Sequence, residues 1–150
     1  MSHYMRSINR IARCGLLFRD EKFKEHGLNG HQSVYLYNIV NSPGISQEEL
    51  SKKILVNKSN VARQVSLLEE KGFVTREICE TDKRQFKIYP TDKSKIILPV
   101  ISEIVKEWNR TLLSGISEND KKILEDSLEK IMERAVSIVS SDVFEPGEII

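Results

Sequence analysis

From Lys52 to Arg63 the chain carries four basic residues, Lys52, Lys53, Lys58 and Arg63, and no acidic one. Lys58, Ser59, Asn60, Arg63 and Gln64 crowd into seven consecutive positions. Arginine and lysine donate to guanine, asparagine and glutamine pair with adenine in both senses, and serine holds a phosphate or a base edge. Further on, Asp82 and Arg84 sit two apart. On an extended segment both project from one side, so the carboxylate is expected to orient the guanidinium through charge-assisted hydrogen bonds. An arginine held ready suits a narrow minor groove, where negative potential concentrates. These residue types offer recognition of a polyanionic duplex, not the making or breaking of bonds.

The elements that must position them are legible around the cluster. Ser46 and Glu49 have the spacing of a capping box, which opens a short helix with Leu50 and Ile54 on one face and Lys52 and Lys53 off it. An apolar bend, Leu55-Val56, leads to Asn57, a good N-cap for a second helix. There Val61, Val65 and Leu68, spaced four and three apart, form a buried stripe. Lys58, Ser59, Asn60, Arg63 and Gln64 are then expected to face outward, near a helix N-terminus whose partial positive charge also favours phosphate. Lys71-Gly72 ends the helix.

Two strand-like runs follow, Phe73 to Ile78 and Phe86 to Pro90, with Val74, Ile78, Phe86 and Ile88 alternating as in half-buried strands. Their loop carries Asp82-Lys83-Arg84. Any soluble helix exposes polar side chains; the hairpin placed directly after this one argues for recognition over mere solvation. The order helix, bend, helix, hairpin predicts a winged helix-turn-helix.

Long helical patterns flank this core. One runs from about Arg6 to His26 through Ile8, Ile11, Ala12, Leu16 and Phe23, after a loose tail at residues 1–5, and stops at Gly27. A second spans about Gly30 to Asn41. Past Thr91 a third extends to about Ser114 on Ile97, Val100, Ile104, Val105, Trp108 and Leu112, and its Pro99 should kink it or unwind one turn unless a neighbouring helix compensates. The last, capped by Ser117, repeats Leu124, Leu128, Ile131, Ala135 and Ile138 as a heptad-like seam. The final SSDVFEPGEII reads as a frayed or packed tail.

Stripes of this length exceed what a winged helix needs, and the economical cover is a second copy. A two-fold homodimer would set two recognition helices ~34 Å apart on a palindromic duplex. The expected fold is mainly α with a small β-hairpin wing. Residues 30–91 form the winged helix-turn-helix, and residues 1–29 with 92–150 form a helical dimerisation region.

Composition bounds the alternatives. Of 150 residues, 39% are hydrophobic and 30% charged, with no apolar run near the ~20 residues of a membrane span. The basic, amphipathic N-terminus lacks the apolar region of a secretory leader, so a cytoplasmic location is expected. Net charge is only +1, against the strongly basic balance usual for nucleic-acid domains. Local clustering answers this, because acidic residues collect at Glu118, Asp120, Glu125, Asp126, Glu129 and Glu133. His3, His26, His31, Cys14 and Cys79 show no ligand spacing, so no metal is expected. No nucleophile turn or Gly-rich phosphate loop is present; an enzyme and a cofactor are not expected.

The run Val56-Asn57-Lys58-Ser59-Asn60-Val61-Ala62-Arg63, then Leu68-Glu69-Glu70-Lys71-Gly72-Phe73-Val74, then Asp82-Lys83-Arg84 and Pro90-Thr91, resembles the MarR family of prokaryotic transcription regulators. Two departures are Ala62, where that family often has a hydroxyl, and Tyr89-Pro90, where leucine is more usual and the return strand should shorten. The resemblance implies a homodimeric, ligand-responsive regulator, a repressor in its simplest form, bound to a double-stranded DNA operator. Its effector would be a small aromatic or anionic molecule in the cleft between dimer helices and reading head.

On this reading Lys58, Ser59, Asn60, Arg63 and Gln64 enter the major groove and Arg84 the minor groove, with Asp82 as orienter. Gln47, Lys53, Arg76 and Lys83 hold the backbone. Two alternatives stay open. One is a winged-helix module that docks a partner protein. The other is a redox regulator built on Cys14, flanked by Arg10 and Arg13, in an Arg-Cys-Gly-Leu-Leu-Phe context similar to the family's peroxide-sensing branch. Tyr35 and Tyr37 are then expected to hydrogen-bond its thiolate.

Overall fold

Helix boundaries in the computed structural model, which describes residues 3–140, follow the capping chemistry of the chain. The first helix, α1 (Tyr4–Phe23), begins two residues earlier than expected and passes into a 3-10 turn at Lys24–His26 that ends on Gly27 at φ 69°. Asn29 caps α2 (Gly30–Asn41) by accepting from the Gln32 N–H at 2.8 Å. Both halves of the box are present at the start of α3 (Gln47–Ile54). Ser46 Oγ accepts from the Glu49 N–H at 3.1 Å, and Glu49 Oε2 accepts from the Ser46 N–H at 2.8 Å. That backbone bond, with the Ser46 hydroxyl, lowers the Glu49 pKa. Leu55, left-handed at φ 55°, turns the chain into α4 (Lys58–Glu70), which Asn57 caps.

The sheet has three strands in the order β1-β3-β2. β2 (Val74–Ile78) and β3 (Phe86–Pro90) pair antiparallel from Val74↔Pro90 to Ile78↔Phe86. Pro90 does not shorten the return strand. The Thr91 N–H donates to the Phe73 carbonyl at 3.0 Å, which makes the adjacent Val74–Pro90 pair a non-hydrogen-bonded one that asks no donor of proline. β1 (Ile45–Ser46), unforeseen in the sequence, pairs with β3 through Ile45↔Ile88. It ties the wing to the start of α3.

The chain forms two compact units that divide between Asn109 and Arg110. In the first, Phe23, Leu36, Ile39, Leu50, Val61, Val65, Leu68, Phe73, Val74, Ile88, Ile101 and Ile104 make the core. The stripe expected on α4 is thus fully buried. Only the base of the hairpin joins it, since Ile78 and Phe86 are 61% and 37% exposed. The expectation that all four alternating residues are half-buried therefore fails at the tip, where the hairpin projects beyond the core. Leu50 is wholly buried. Leu50→Ala should cost about 2–5 kcal/mol from lost contact and an unfilled cavity, read by denaturant unfolding.

The fifth helix, α5 (Asp92–Leu112), continues through Pro99. Its start is fastened under the wing, where the hydroxyls of Thr91 and Ser94 both donate to the Phe73 carbonyl. Of the stripe expected on α1 only Phe23 is buried, while Ile11 is exposed together with Tyr4, Met5 and Leu17. In the second unit, α6 (Glu118–Val139) is capped by Ser117 and has no buried residue. Leu124, Leu128, Ile131 and Ile138 of its seam are 39%, 41%, 46% and 60% exposed. The tail from 141 onward lies outside the described residues.

Candidate nucleic-acid interface

On α4, Lys58, Ser59 and Arg63 are exposed. Asn60 and Gln64 are not turned outward as expected. Both are half-buried, their side-chain oxygens are shut off from solvent, and both residues border a cavity with His31, Val34 and Tyr35 of α2. Helical geometry explains this: Gln64 lies three residues after Val61 and four before Leu68 and shares their face, and Asn60 stands one turn above it.

The wing also departs from expectation. Asp82 Oδ1 accepts from the backbone N–H of Arg84 at 3.0 Å, and Oδ2 accepts from the Gln85 side-chain amide at 3.2 Å. The carboxylate therefore does not hold the Arg84 guanidinium. An aspartate two residues before an N–H closes an Asx turn, and both of its oxygens accept from groups of the loop itself. Asp82 shapes the loop instead, and Arg84 is exposed at its tip beside Lys83, also exposed. Gln47, Lys58 and Arg84 come together, with Gln85 and Phe86, around a depression of about 170 Å³. Helix and wing thus share one surface.

Three further side chains modify the charge of that surface. Glu48 stands 3.3 Å from the Lys52 ammonium and 3.6 Å from that of Lys58. The hydrogen bond from Lys52, then the charge of Lys58, lowers its pKa. The basic run read along the sequence therefore carries a carboxylate in space, which the four-residue spacing of Glu48 and Lys52 signals. Lys53 donates to the Ser42 hydroxyl at 3.0 Å. Arg76 is not free for phosphate: its Nε donates to Glu69 at 3.0 Å, and its guanidinium lies 5.6 Å from the Phe86 ring centre. It locks the end of α4 to the wing.

Cys14 is exposed on α1, but Tyr35 does not hold its thiolate, because the Tyr35 hydroxyl has no hydrogen-bond partner among the described residues. Cys79, at the base of the wing loop, has its thiol pKa lowered, chiefly by a hydrogen bond with Thr81. No helix is long and apolar enough to cross a membrane among the described residues.

Known proteins share this architecture. A sequence profile described as the MarR family matches residues 26–85. The Bacillus subtilis (strain 168) protein described as the uncharacterized HTH-type transcriptional regulator YybA is 30% identical over 131 residues, 87% of each chain. The crystal structure of the transcriptional regulator SlyA matches with a TM-score of 0.86 at 32% identity, over 91% of this chain and 96% of that one. A putative MarR family transcriptional regulator from Listeria monocytogenes, complexed with a 26mer DNA, matches with a TM-score of 0.86 at 26% identity, over 98% and 99% of the two chains. The matched relatives are regulators and not enzymes. Three-stranded wing, capped recognition helix and these likenesses together place the chain in the MarR family of winged helix-turn-helix transcriptional regulators.

Proposed function

We propose that this regulator binds palindromic duplex DNA as a homodimer and represses transcription by occupying its operator. The observation that carries this reading is the shared surface on which Lys58 of the recognition helix and Arg84 of the wing border one depression. Lys58, Ser59 and Arg63 enter the major groove, and Arg84 reaches the adjoining minor groove. Lys53, Lys83 and Gln47 contact the backbone. Asn60 and Gln64 contribute to base reading only after rotating away from α2.

The effector reading draws support from a cavity of about 450 Å³ between α1, α2 and α5. Its lining includes Arg19, Tyr37 and Lys106 beside Val34, Ile101 and Val105, and the Arg19 Nε–H is buried with no partner among the described residues. Cations over apolar walls suit a small aromatic anion. Such a ligand regulates only by binding one arrangement of the two reading heads better than another.

Selection of bound sequences from a random duplex pool tests the proposal. Enrichment of an inverted repeat is expected; recovery of no motif at low salt would remove DNA binding from the reading. The selected site should lose affinity steeply with salt. In Lys83→Ala the slope of log affinity against log salt should shrink by about one for each phosphate contact removed.

A further inference from the structure

Phosphate binding has no use for a carboxylate, yet one stands on the basic surface that helix and wing share. Glu48 borders the depression between Lys58 of α4 and Arg84 of the wing. Its Oε1 lies 3.6 Å from the Lys58 ammonium and 3.3 Å from that of Lys52. The side chains of Lys58 and Glu48 are 70% and 45% exposed, so both are open to whatever occupies the depression. The hydrogen bond from Lys52 and then the charge of Lys58 lower the Glu48 pKa, which keeps the group ionised at neutral pH. Exposed ion pairs of this kind add little to stability, so folding alone does not account for a carboxylate there.

Lys58 is the first residue of α4, the end from which a recognition helix reaches base edges. Beside its three donors Glu48 sets an acceptor. In the major groove a G·C pair offers N7 and O6 of guanine as acceptors and the amino group on N4 of cytosine as donor. O6 and N4 are hydrogen-bonded to each other within the pair and stand ~2.9 Å apart, close to the 3.6 Å between ammonium and carboxylate oxygen. An A·T pair also sets a donor beside an acceptor, but it gives a cation no two adjacent acceptors and adds the thymine methyl. We propose, on the reading that this surface enters duplex DNA, that Lys58 and Glu48 act as one couple that reads a G·C pair in each half-site. The ammonium donates to guanine, and the carboxylate accepts from cytosine N4. Lys52, four residues from Glu48 on α3, offsets the repulsion between that carboxylate and the phosphates.

Selection from a random duplex pool with full-length wild type, Glu48→Ala and Lys58→Ala tests the couple. The wild-type site is expected to hold a G·C pair at one position of each half-site that both variants leave unspecified. In anisotropy titrations, exchanging that pair for A·T should weaken wild type by about fivefold or more, the lower end for a well-made base contact. Each variant should tolerate the exchange within about twofold, and the double variant as well as either single one, because the two residues act as a unit. An unaltered base preference in Glu48→Ala would overturn the proposal. That holds whether affinity for every duplex then rises, as for a carboxylate that only repels phosphate, or falls, as for one that only steadies α3. Loss of preference at different positions in the two variants would overturn it equally. Failure of wild type to select any motif would instead remove the operator reading, and this proposal with it.

Discussion

Arg84→Ala should weaken binding to the selected duplex by about tenfold to a hundredfold, the range for removing one well-placed arginine contact, and leave the oligomeric state unchanged. The residue is exposed at the end of a hairpin whose base alone is buried, so its loss takes nothing from the core. Fluorescence anisotropy on a labelled duplex measures the effect. Equal affinity of wild type and variant would take the wing out of the mechanism.

Asp82 refines this test. Its bond to the Arg84 backbone N–H at 3.0 Å needs only an oxygen acceptor in that place, not a charge. Asp82→Asn keeps the acceptor and should bind DNA nearly as wild type does, whereas Asp82→Ala loosens the loop and should lose several-fold. If the carboxylate worked instead by pairing with the guanidinium, both variants would fail alike. The two substitutions thus separate a turn-forming aspartate from an ion-pairing one.

The second large effect is expected at the α6 seam. Leu128 is 41% exposed in the single chain, in a row with Leu124, Ile131 and Ile138. Leu128→Glu would set a carboxylate in each copy of a two-fold interface, where burial without a partner is strongly unfavourable. Analytical ultracentrifugation should then report a monomer, with helix content kept because the side chain is exposed among the described residues. Affinity for the inverted repeat should drop by about a hundredfold or more, since two linked reading heads gain from effective concentration and one does not. A variant that stays dimeric would place the interface elsewhere.

Both predictions rest on surfaces that the sequence marked unequally. The α4 stripe of Val61, Val65 and Leu68, the Ser46 to Glu49 box and the Asn57 cap were readable because each depends on residues within one or two helical turns. Pattern and structure coincide there for a local reason. The heptad-like seam of α6 was readable as a pattern, and among the described residues α6 has none that is buried.

What sequence alone determined is the order of the helices and the hairpin, the buried face of the recognition helix and the basic character of its outward end, all set by periodicity and capping over a few residues. Tertiary structure decided the rest. β1 is two residues long, too short for alternation to show, and exists only because β3 lies beside it. Gln64 sits at the edge of the apolar stripe, and the packing of α2 against α4 decides that its oxygen is buried. Arg76 looked like a phosphate ligand until Glu69, seven residues away, came within 3.0 Å of it. Beyond one helical turn, a side chain's surroundings and its ionic partner depend on what the fold brings beside it in space.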